Sequence, residues 1–333
     1  MTSEPRRTAL HRTAPLIVAL CVLALGACAP RIAPPGAVAA MPVLAGDYFL
    51  TADGTRLPMR VWSSDAPPRA VVLALHGFND YSKSFEAPAA AWRKAGIAVY
   101  AYDQRGFGAA PHHGLWPGVA AMTGDLAVAS RLLRARYPGT PLYLLGESMG
   151  ASVILAAYGG ADRPDADGVV LSAPAVWARR FMPFYQRAAL WLGAHTLPWL
   201  KVTGQGLKIR ASNNNAMLRA LGRDPLVIKG TRIDALYGLT DLMAAALAAA
   251  PKLDVSALIL YGRSEQLIPV PARRAILAAL PKGGNWRHVE YESGFHMLLR
   301  DLNADIVLRD IGVWITGNGG AGTNFANKPS LAR

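Results

Sequence analysis

The chain has 333 residues, of which 52% are hydrophobic and 17% are charged. This composition can bury a sizeable core and excludes a chain that is disordered throughout, and the length allows one large domain or two. The formal net charge is +13, but no run of lysine or arginine with interleaved aromatic residues indicates a nucleic-acid partner. We interpret the charge mainly as a solvated basic surface, with attraction to anionic lipid as a secondary effect.

The N-terminus has the pattern of an export signal. Three arginines within the first 12 residues precede an uncharged apolar run over 14–27, which is shorter than the roughly 20 residues of a membrane-spanning helix. The run ends in Leu-Gly-Ala before Cys28, which resembles the lipobox of bacterial lipoproteins, where the cysteine becomes the acylated N-terminus. We predict a lipoprotein signal peptide over 1–27 and a lipidated Cys28 that anchors the protein to a membrane of the bacterial envelope, with the outer membrane as first candidate. An ordinary secretory signal is the alternative.

Low-complexity segments flank the predicted folded part. Residues 28–45 contain four prolines among alanines and predict an extended tether between lipid and body. Residues 317–333 are rich in Gly and Asn, lack periodicity and predict a disordered tail. The folded part is therefore expected over 46–316.

Short apolar runs alternate with longer helical patterns through most of this part. Strands are predicted at 47–51, 57–62, 70–75, 98–102, 142–145, 168–171, 257–261 and 288–291, and helices at 86–95, 119–136, 148–158, 271–280 and 297–314. Several strands are continuous Val, Ile and Leu runs, as in strands buried on both faces of a parallel sheet. The sequence predicts an α/β fold with a mostly parallel eight-stranded sheet and helices on both faces.

One segment of about 70 residues, 178–251, breaks this alternation. It has no clear strand, and aromatic residues cluster at or near its start: Trp177, Phe181, Phe184, Tyr185, Trp191 and Trp199. We predict a helical cap that is inserted between two parts of the core, 46–177 and 252–316, and covers the carboxyl edge of the sheet. An ordinary helical layer with aromatic core residues is the alternative.

A candidate nucleophile lies at Ser148, in the motif Gly-Glu-Ser-Met-Gly at 146–150. The G-x-S-x-G pattern alone is weak, but here it follows the apolar run 142–145 directly and opens a helical stretch. This strand-turn-helix setting is typical of a nucleophile elbow, where the flanking glycines permit a tight turn and the helix N-terminus favours negative charge. A plain helix-capping serine is the alternative.

A serine hydroxyl needs a general base within hydrogen-bonding reach, and His296 is the best-placed of the seven histidines. It follows the last predicted strand and precedes the last helix, so a loop can bring it over the carboxyl edge of the sheet. His112 and His113 lie in a loop and are interpreted as solvated. His195 falls in the cap, and His288 falls inside a strand pattern.

The base needs an acid that fixes its tautomer and stabilises the imidazolium. Glu265 follows the buried strand 257–261 and should emerge at the same sheet edge as the serine and the histidine. Asp254 and Asp301 are the rival acids. The chain order of nucleophile, acid and base matches the hydrolase arrangement.

The oxyanion that forms on an attacked carbonyl needs preorganised N–H donors. We predict the backbone amides of Met149, which follows the nucleophile, and of Phe78, in the turn 76–80 after the third strand. His76 in the same turn is interpreted as a structural residue that braces it. This mechanism calls for no metal and no cofactor.

Five motifs together resemble the monoacylglycerol lipase and lysophospholipase branch of the α/β-hydrolases, which is related to the serine aminopeptidases. They are HGFND at 76–80, YDQRGFG at 102–108, GESMG at 146–150, DPLVIKG at 224–230 and SGFHMLL at 293–299. The resemblance implies an α/β-hydrolase fold over about 47–314 and hydrolysis of glycerol-linked or similar acyl esters under a helical cap, without metal or cofactor. The family usually has Asp where Glu265 stands and Gly-His-Gly where 106–108 read Gly-Phe-Gly.

Three functions are open at this point. The first is a lipid-anchored serine esterase or lipase that acts on acylglycerols or lysophospholipids through an acyl-enzyme on Ser148. The second is a peptidase or acyltransferase that uses the same three residues. The third is a non-catalytic envelope lipoprotein that binds lipid.

Overall fold

Residues 29–63, 66–204, 206 and 208–317 are described by the computed structural model. The predicted signal peptide (1–27), the predicted lipidation site Cys28 and residues 318–333 of the predicted tail lie outside the described residues.

Eleven strands and eight α-helices are present in the described residues. The strands are β1 (Val43–Leu44), β2 (Tyr48–Leu50), β3 (Arg56–Trp62), β4 (Ala70–Leu75), β5 (Ile97–Tyr102), β6 (Leu142–Glu147), β7 (Gly168–Ser172), β8 (Lys201–Val202), β9 (Thr231–Arg232), β10 (Ser256–Gly262) and β11 (Trp286–Tyr291). The helices are α1 (Glu86–Lys94), α2 (Val119–Arg136), α3 (Met149–Gly159), α4 (Phe184–Thr196), α5 (Asn215–Arg223), α6 (Ile233–Ala249), α7 (Val270–Ala279) and α8 (Ala304–Thr316).

The central sheet has the strand order β1-β2-β3-β5-β4-β6-β7-β10-β11. From β5 to β11 all neighbours pair in parallel, and β1, β2 and β3 add an antiparallel end. Every residue of β4, β5 and β6 is buried, which matches their continuous apolar sequences. The predicted mostly parallel α/β sheet is confirmed, and its carboxyl ends meet at one edge because parallel strands run in the same direction.

The sheet has nine strands in the described residues, whereas the sequence predicted eight. The additional strand is β1, which lies inside the predicted tether 28–45 and pairs Val43 with Leu50. Upstream of it, the amide of Gly36 donates to Asp53 Oδ2 (2.8 Å) and the amide of Ala33 donates to the carbonyl of Trp116 (2.8 Å). These contacts show that the segment lies along the body. Its strand β1 covers the edge of β2 that would otherwise be unpaired.

Helices cover both faces of the sheet and create two hydrophobic layers. On one face α1 and α8 pack together, and Trp92 Nε1 donates to the carbonyl of Leu308 (2.9 Å). On the other face α2, α3 and α7 bury Leu126, Ile154 and Ile276 completely. Both layers end at the carboxyl edge of the sheet, where the candidate site lies.

The predicted helix 297–314 is divided in the structure. Leu298–Arg300 form a single 3₁₀ turn, and α8 begins only at Ala304. Asp301 separates the two, because its carboxylate accepts from the Phe295 amide (2.7 Å) and from Ser212 Oγ (2.5 Å), which holds the backbone extended. These contacts join the loop that carries His296 to the segment after α4.

Residues 178–251 hold α4, α5, α6 and a two-residue ladder in which Lys201 of β8 pairs with Arg232 of β9. This ladder is a feature that the sequence pattern, with no clear strand in this segment, did not predict. Ile233–Lys252 is long and apolar enough to cross a membrane, but 56% of its apolar 18-residue window is buried inside the protein. We interpret it as a core helix, since α6 packs closely against α3.

Candidate active site

A sharp turn between β6 and α3 presents Ser148. Its φ of +53° lies in the left-handed region, which non-glycine residues adopt rarely and mostly where the surroundings enforce it. Space around the turn is too small for side chains at both flanking glycines. A Cβ on Gly146 would lie 2.3 Å from the amide nitrogen of Ala151, and one on Gly150 would lie 2.0 Å from the carbonyl oxygen of Leu75. The structure therefore contains the elbow that the motif predicted.

Gly150→Ala is expected to lower the free energy of unfolding by about 2–3 kcal/mol, because the methyl group overlaps the backbone at the end of β4. Gly124→Ala is the matched control. It lies inside α2, and apart from its chain neighbours and the backbone of its own helix no atom lies within 4 Å of the place that its methyl group would take, so the substitution should raise stability by up to about 1 kcal/mol. Urea unfolding of both variants measures the difference, and equal changes would contradict the tight packing of the elbow.

The three residues predicted for catalysis form one hydrogen-bonded chain. His296 Nε2 lies 2.9 Å from Ser148 Oγ, and His296 Nδ1 lies 2.6 Å from Glu265 Oε2. The side chains of the histidine and the glutamate are 7% and 0% exposed. Nδ1–H donates to the carboxylate, so Nε2 is free to accept the serine proton. This is the geometry of a nucleophile, a general base and an orienting acid.

Glu265 is held in its ionised form by its surroundings. Its Oε1 accepts from the amides of Leu267 (2.6 Å) and Ile268 (3.2 Å), while Oε2 faces the imidazole. Burial alone would raise the pKa of this carboxyl, but the histidine and the two amides outweigh it and lower the pKa. The glutamate is one methylene longer than the family's usual aspartate, and the turn after β10 accommodates it.

The pKa of the His296 imidazole is shifted in the opposite direction, upward. Burial alone would lower the pKa of His296, but attraction and hydrogen bonding to Glu265, with a further contribution from Glu147, raise it above 6.5. The base must be neutral to accept a proton, so the free enzyme should gain activity only as the pH rises through this raised pKa.

The rival acids and histidines of the sequence analysis are engaged elsewhere. Asp301 binds Ser212 and the Phe295 amide, and Asp254 forms an exposed ion pair with Arg163 (2.5 Å). Three of the other histidines also have partners away from Ser148: His113 Nδ1 contacts the carbonyl of Gly108 (2.7 Å), His195 stacks on Trp191, and His288 packs against Tyr261. Of these candidates, Glu265 and His296 are the two that form the hydrogen-bonded chain to Ser148.

The turn after β4, which carries Phe78, lies directly beside the elbow. A Cβ on Gly77 would lie 3.6 Å from the Cβ of Ser148, and Met149 is the first residue of α3. The first amides of a helix have no partner inside the helix and can therefore donate to an anion. Both predicted oxyanion donors thus belong to segments that border the serine.

His76 braces this turn, as its position in the sequence indicated. Its Nδ1 donates to the carbonyl of Gly77 (2.8 Å), and its Nε2 accepts from the amide of Gln104 (3.0 Å). Burial lowers the pKa of His76, so the ring stays neutral and keeps this tautomer. The ring is fully enclosed and has both nitrogens occupied, so it positions the backbone at Phe78.

A buried ion cluster behind the serine was not found from the sequence. Arg300 Nη2 lies 2.7 Å from Asp80 Oδ2 and 2.9 Å from Glu147 Oε2, and the three side chains are at most 9% exposed. One guanidinium therefore joins the turn that carries Phe78, the elbow and the loop that carries His296. The signal in the sequence was Glu147, a carboxylate two residues after the predicted buried strand 142–145, because a carboxylate that is buried is costly unless a cation pairs with it.

Arg300→Met should lower the free energy of unfolding by about 3–5 kcal/mol, because it leaves two buried carboxylates without their cation. Arg300→Lys should recover part of this loss. Arg131→Met is the control, since it breaks an exposed pair with Asp162 and should cost less than about 1 kcal/mol. Chemical denaturation of the three variants compares their free energies of unfolding. If Arg300→Met left the free energy of unfolding unchanged, the cluster would not stabilise the fold.

A cavity of about 600 Å³ opens beside Ser148 and His296. Its walls are mostly apolar and come largely from the predicted cap: Met182, Leu190, Ile209, Leu236, Leu239 and Met243. Four of its polar lining residues, Asn79, Asp80, Glu147 and Arg300, come from the segments next to the serine, and the cap adds Gln186 and Thr240. This size and lining suit an acyl chain with a small polar group. Among the described residues, no group of three or more His, Cys, Asp or Glu side chains could hold a metal ion.

Known proteins resemble this chain over most of its length. Residues 66–303 match the model of the family described as serine aminopeptidase, S33. The chain is 28% identical over 284 residues to the monoacylglycerol lipase of Mycolicibacterium smegmatis, which covers 81% of this chain and 96% of the relative. It is 27% identical over 282 residues to the monoglyceride lipase of Homo sapiens, which covers 81% of this chain and 89% of the relative.

Solved structures show the same fold. A soluble variant of monoglyceride lipase from Saccharomyces cerevisiae, in complex with a substrate analogue, superposes with a TM-score of 0.67 at 22% identity over 85% of this chain and 97% of that structure. The monoacylglycerol lipase of Paleococcus ferrophilus gives a TM-score of 0.64 at 21% identity over 79% of this chain and 99% of that structure. At this identity the two structures support the α/β-hydrolase architecture.

Proposed function

We propose that this chain, which belongs to the serine aminopeptidase S33 family, is a serine carboxylester hydrolase that cleaves monoacylglycerols or closely related acyl esters, because its curated relatives are monoacylglycerol and monoglyceride lipases. The observation that carries the proposal is the hydrogen-bonded chain from Ser148 through His296 to Glu265, at the mouth of an apolar cavity.

The geometry supports a two-step acyl transfer. Ser148 Oγ attacks the ester carbonyl while His296 Nε2 takes its proton, and the amides of Phe78 and Met149 stabilise the oxyanion. The C–O bond to the alcohol then breaks, and the imidazolium returns the proton to the leaving oxygen. Water, deprotonated by the same nitrogen, attacks the acyl carbon. The bond between that carbon and Ser148 Oγ then breaks, the imidazolium returns its proton to Oγ, and the carboxylic acid leaves. Glu265 stays ionised throughout and stabilises the imidazolium.

The substrate class follows from the lining of the cavity together with the curated relatives. Those relatives are monoacylglycerol and monoglyceride lipases. The apolar cap side of the cavity suits the acyl chain, and the polar side chains next to the serine suit a hydroxylated leaving group. Lysophospholipids are the second ester class that this mixed lining accommodates.

A substrate panel tests the proposal. Purified protein should release fatty acid from long-chain monoacylglycerol faster than from lysophospholipid, and should leave aminoacyl amides intact. Faster amide cleavage would identify a peptidase with the same three residues, in line with the description of the matching family. Transfer of the acyl group to added alcohols in preference to water would identify an acyltransferase. Either result would replace the lipase proposal.

The N-terminus supports attachment to the cell envelope through lipid. The apolar run and the Leu-Gly-Ala-Cys sequence predict acylation of Cys28, and a diacylated cysteine would hold the protein firmly at a membrane. Metabolic labelling with a palmitate analogue tests this in a bacterial host. The wild type should be labelled and sediment with membranes, whereas Cys28→Ala should be unlabelled. Equal labelling of the two would exclude this site.

A further inference from the structure

The segment that follows the predicted lipidation site touches the core and the cap at once. The amide of Ala33 donates to the carbonyl of Trp116 (2.8 Å), in the loop between β5 and α2, and Ile32 forms a parallel bridge with the same residue. The amide of Arg31 donates to Asp234 Oδ2 (3.2 Å), in the first turn of α6. Three consecutive residues therefore connect the core to the cap helix α6.

Buried charges hold the other end of this segment, which we call the strap and define as residues 31–36. The amide of Gly36 donates to Asp53 Oδ2 (2.8 Å), and Arg105 Nη1 donates to the same oxygen (2.8 Å). Two consecutive prolines within the strap limit the freedom of the chain between its ends. The strap is thus bound to α6 at one end and to a buried ion pair of the core at the other.

Trp116 lies where the strap, the cap and the turn that carries Phe78 meet. It is 3% exposed. A Cβ on Gly238 of α6 would lie 2.3 Å from Cδ1 of the indole, so the ring lies directly against the helix. The indole also packs against the side chain of Phe78, with ring centroids 6.3 Å apart. One buried side chain therefore contacts both the cap and the residue that carries a predicted oxyanion donor.

Both neighbours of Trp116 border the place where an ester would react. Four residues of α6 line the cavity beside Ser148, and the turn that carries Phe78 lies against the elbow. Because reacting groups must be held in a narrow range of geometry, a shift of about 1 Å in either neighbour would cost up to about 10²-fold in rate. The packing of Trp116 can therefore influence catalysis without any contact between its ring and the substrate.

We propose that Trp116 is a positioning residue for the proposed ester hydrolysis and that the strap holds it in place. The indole sets the distance between α6 and Phe78, and the bond from Ala33 fixes the backbone of Trp116. This inference rests on the proposed function, because it concerns the rate of that reaction. An ordinary core residue is the alternative, whose loss would lower stability and leave the rate of the folded enzyme unchanged.

Gly238→Ala in the full-length chain tests the contact between Trp116 and α6. Alanine suits a helix better than glycine, so the cost of the added methyl group comes from its overlap with the indole. The kcat for a soluble ester, per Ser148 that a fluorophosphonate titrates, should fall by about 10- to 100-fold. The KM for long-chain monoacylglycerol should rise as well, since α6 lines the cavity.

Gly222→Ala is the matched control for this variant. Gly222 lies in α5, another helix of the cap. Apart from its chain neighbours and the backbone of its own helix, no atom lies within 4 Å of the place that its methyl group would take. Its kcat and KM should therefore equal those of the wild type.

Trp116→Phe is a milder change, which keeps the inference testable if Gly238→Ala does not fold. The smaller ring remains aromatic but leaves space between α6 and Phe78, so kcat should fall by about 3- to 10-fold. Because both variants disturb one contact, their losses should not multiply in the double variant. Circular dichroism and thermal melting verify that each variant is folded.

Ala33→Pro tests the strap. It removes the amide that binds the carbonyl of Trp116, and the extended backbone that Pro34 favours at residue 33 already suits a proline. The kcat should fall by about threefold or more. Val38→Pro is the control, because Val38 lies outside the strap, is 84% exposed and has an amide that donates to no group among the described residues.

A readout that needs no ester separates this inference from the proposed function. The rate at which a fluorophosphonate labels Ser148 depends on the same oxyanion donors, because negative charge develops on the phosphoryl oxygen. This rate should fall in Gly238→Ala and Trp116→Phe and stay unchanged in both controls. If the wild type is labelled but cleaves no ester, the proposed hydrolase is refuted, and the labelling rates still decide the role of Trp116.

The role of Trp116 would be overturned if folded Gly238→Ala and Trp116→Phe were labelled as fast as the wild type, with changes only in melting temperature. Ala33→Pro that is as active as Val38→Pro would overturn the role of the strap. A wild type that the probe does not label would refute this inference and the proposed function together, because Ser148 would then not be an activated nucleophile.

Discussion

Ser148→Ala and His296→Ala are each expected to lower kcat for a soluble ester by about 10⁴-fold or more, with little change in KM. The alanine at 148 removes the atom that forms the acyl-enzyme, and the alanine at 296 removes the base that lies 2.9 Å from it. Because the two residues act as one unit, the double variant should be no slower than the slower single variant. Steady-state kinetics with a p-nitrophenyl ester measures all three.

His113→Ala is the control for this experiment. Its ring contacts the carbonyl of Gly108 and not the serine, so kcat should change less than about twofold. If the His296 variant retained near wild-type activity, or if the losses of the two single variants multiplied in the double variant, the serine and histidine would not act together.

Glu265→Gln is expected to lower kcat by about 10³- to 10⁴-fold while the protein stays folded. The amide has nearly the shape of the carboxylate but lacks its charge, so it no longer stabilises the imidazolium or enforces Nδ1–H. The pH profile should also move. The carboxylate raises the pKa of His296, so the acid limb of kcat/KM should shift to lower pH in the variant, which lacks this charge.

Glu265→Asp tests the departure from the family's usual acid. Shortening the side chain by one methylene pulls the carboxylate away from Nδ1, which it now contacts at 2.6 Å, so activity should fall between that of the wild type and that of Glu265→Gln. Asp254→Asn is the control, because this rival acid pairs with Arg163 at the surface. Loss of activity in Asp254→Asn with an active Glu265→Gln would reverse the assignment of the acid.

The sheet could be predicted because its buried strands are continuous apolar runs, which can be recognised from a few neighbouring residues. The strand 70–75 is a continuous apolar run and was predicted at its observed ends, as was the helix 119–136. The strand β1 could not be predicted in the same way. Two residues contain no periodicity, and Val43–Leu44 is extended because β2 offers an unpaired edge to it. The start of α8 also depends on distant partners, since Ser212 helps to hold Asp301 in an extended conformation.

Some residues of the candidate site could likewise be placed from local sequence patterns, and others could not. Ser148, Glu265 and His296 each follow a predicted strand, and parallel strands bring their ends together, so local patterns were enough to place them. The ion cluster of Arg300 with Asp80 and Glu147 joins residues that are 220 and 153 positions apart. The residues next to each of them in the sequence do not indicate that pairing, because it arises only when the chain is folded.

A fluorophosphonate probe tests most directly whether Ser148 and His296 act together as nucleophile and base. Peptide mapping of labelled wild-type protein should locate one covalent adduct on Ser148, and labelling of His296→Ala should be slower by orders of magnitude although the protein is folded. An adduct on another serine, or equally fast labelling of folded His296→Ala, would contradict an active site built on these two side chains.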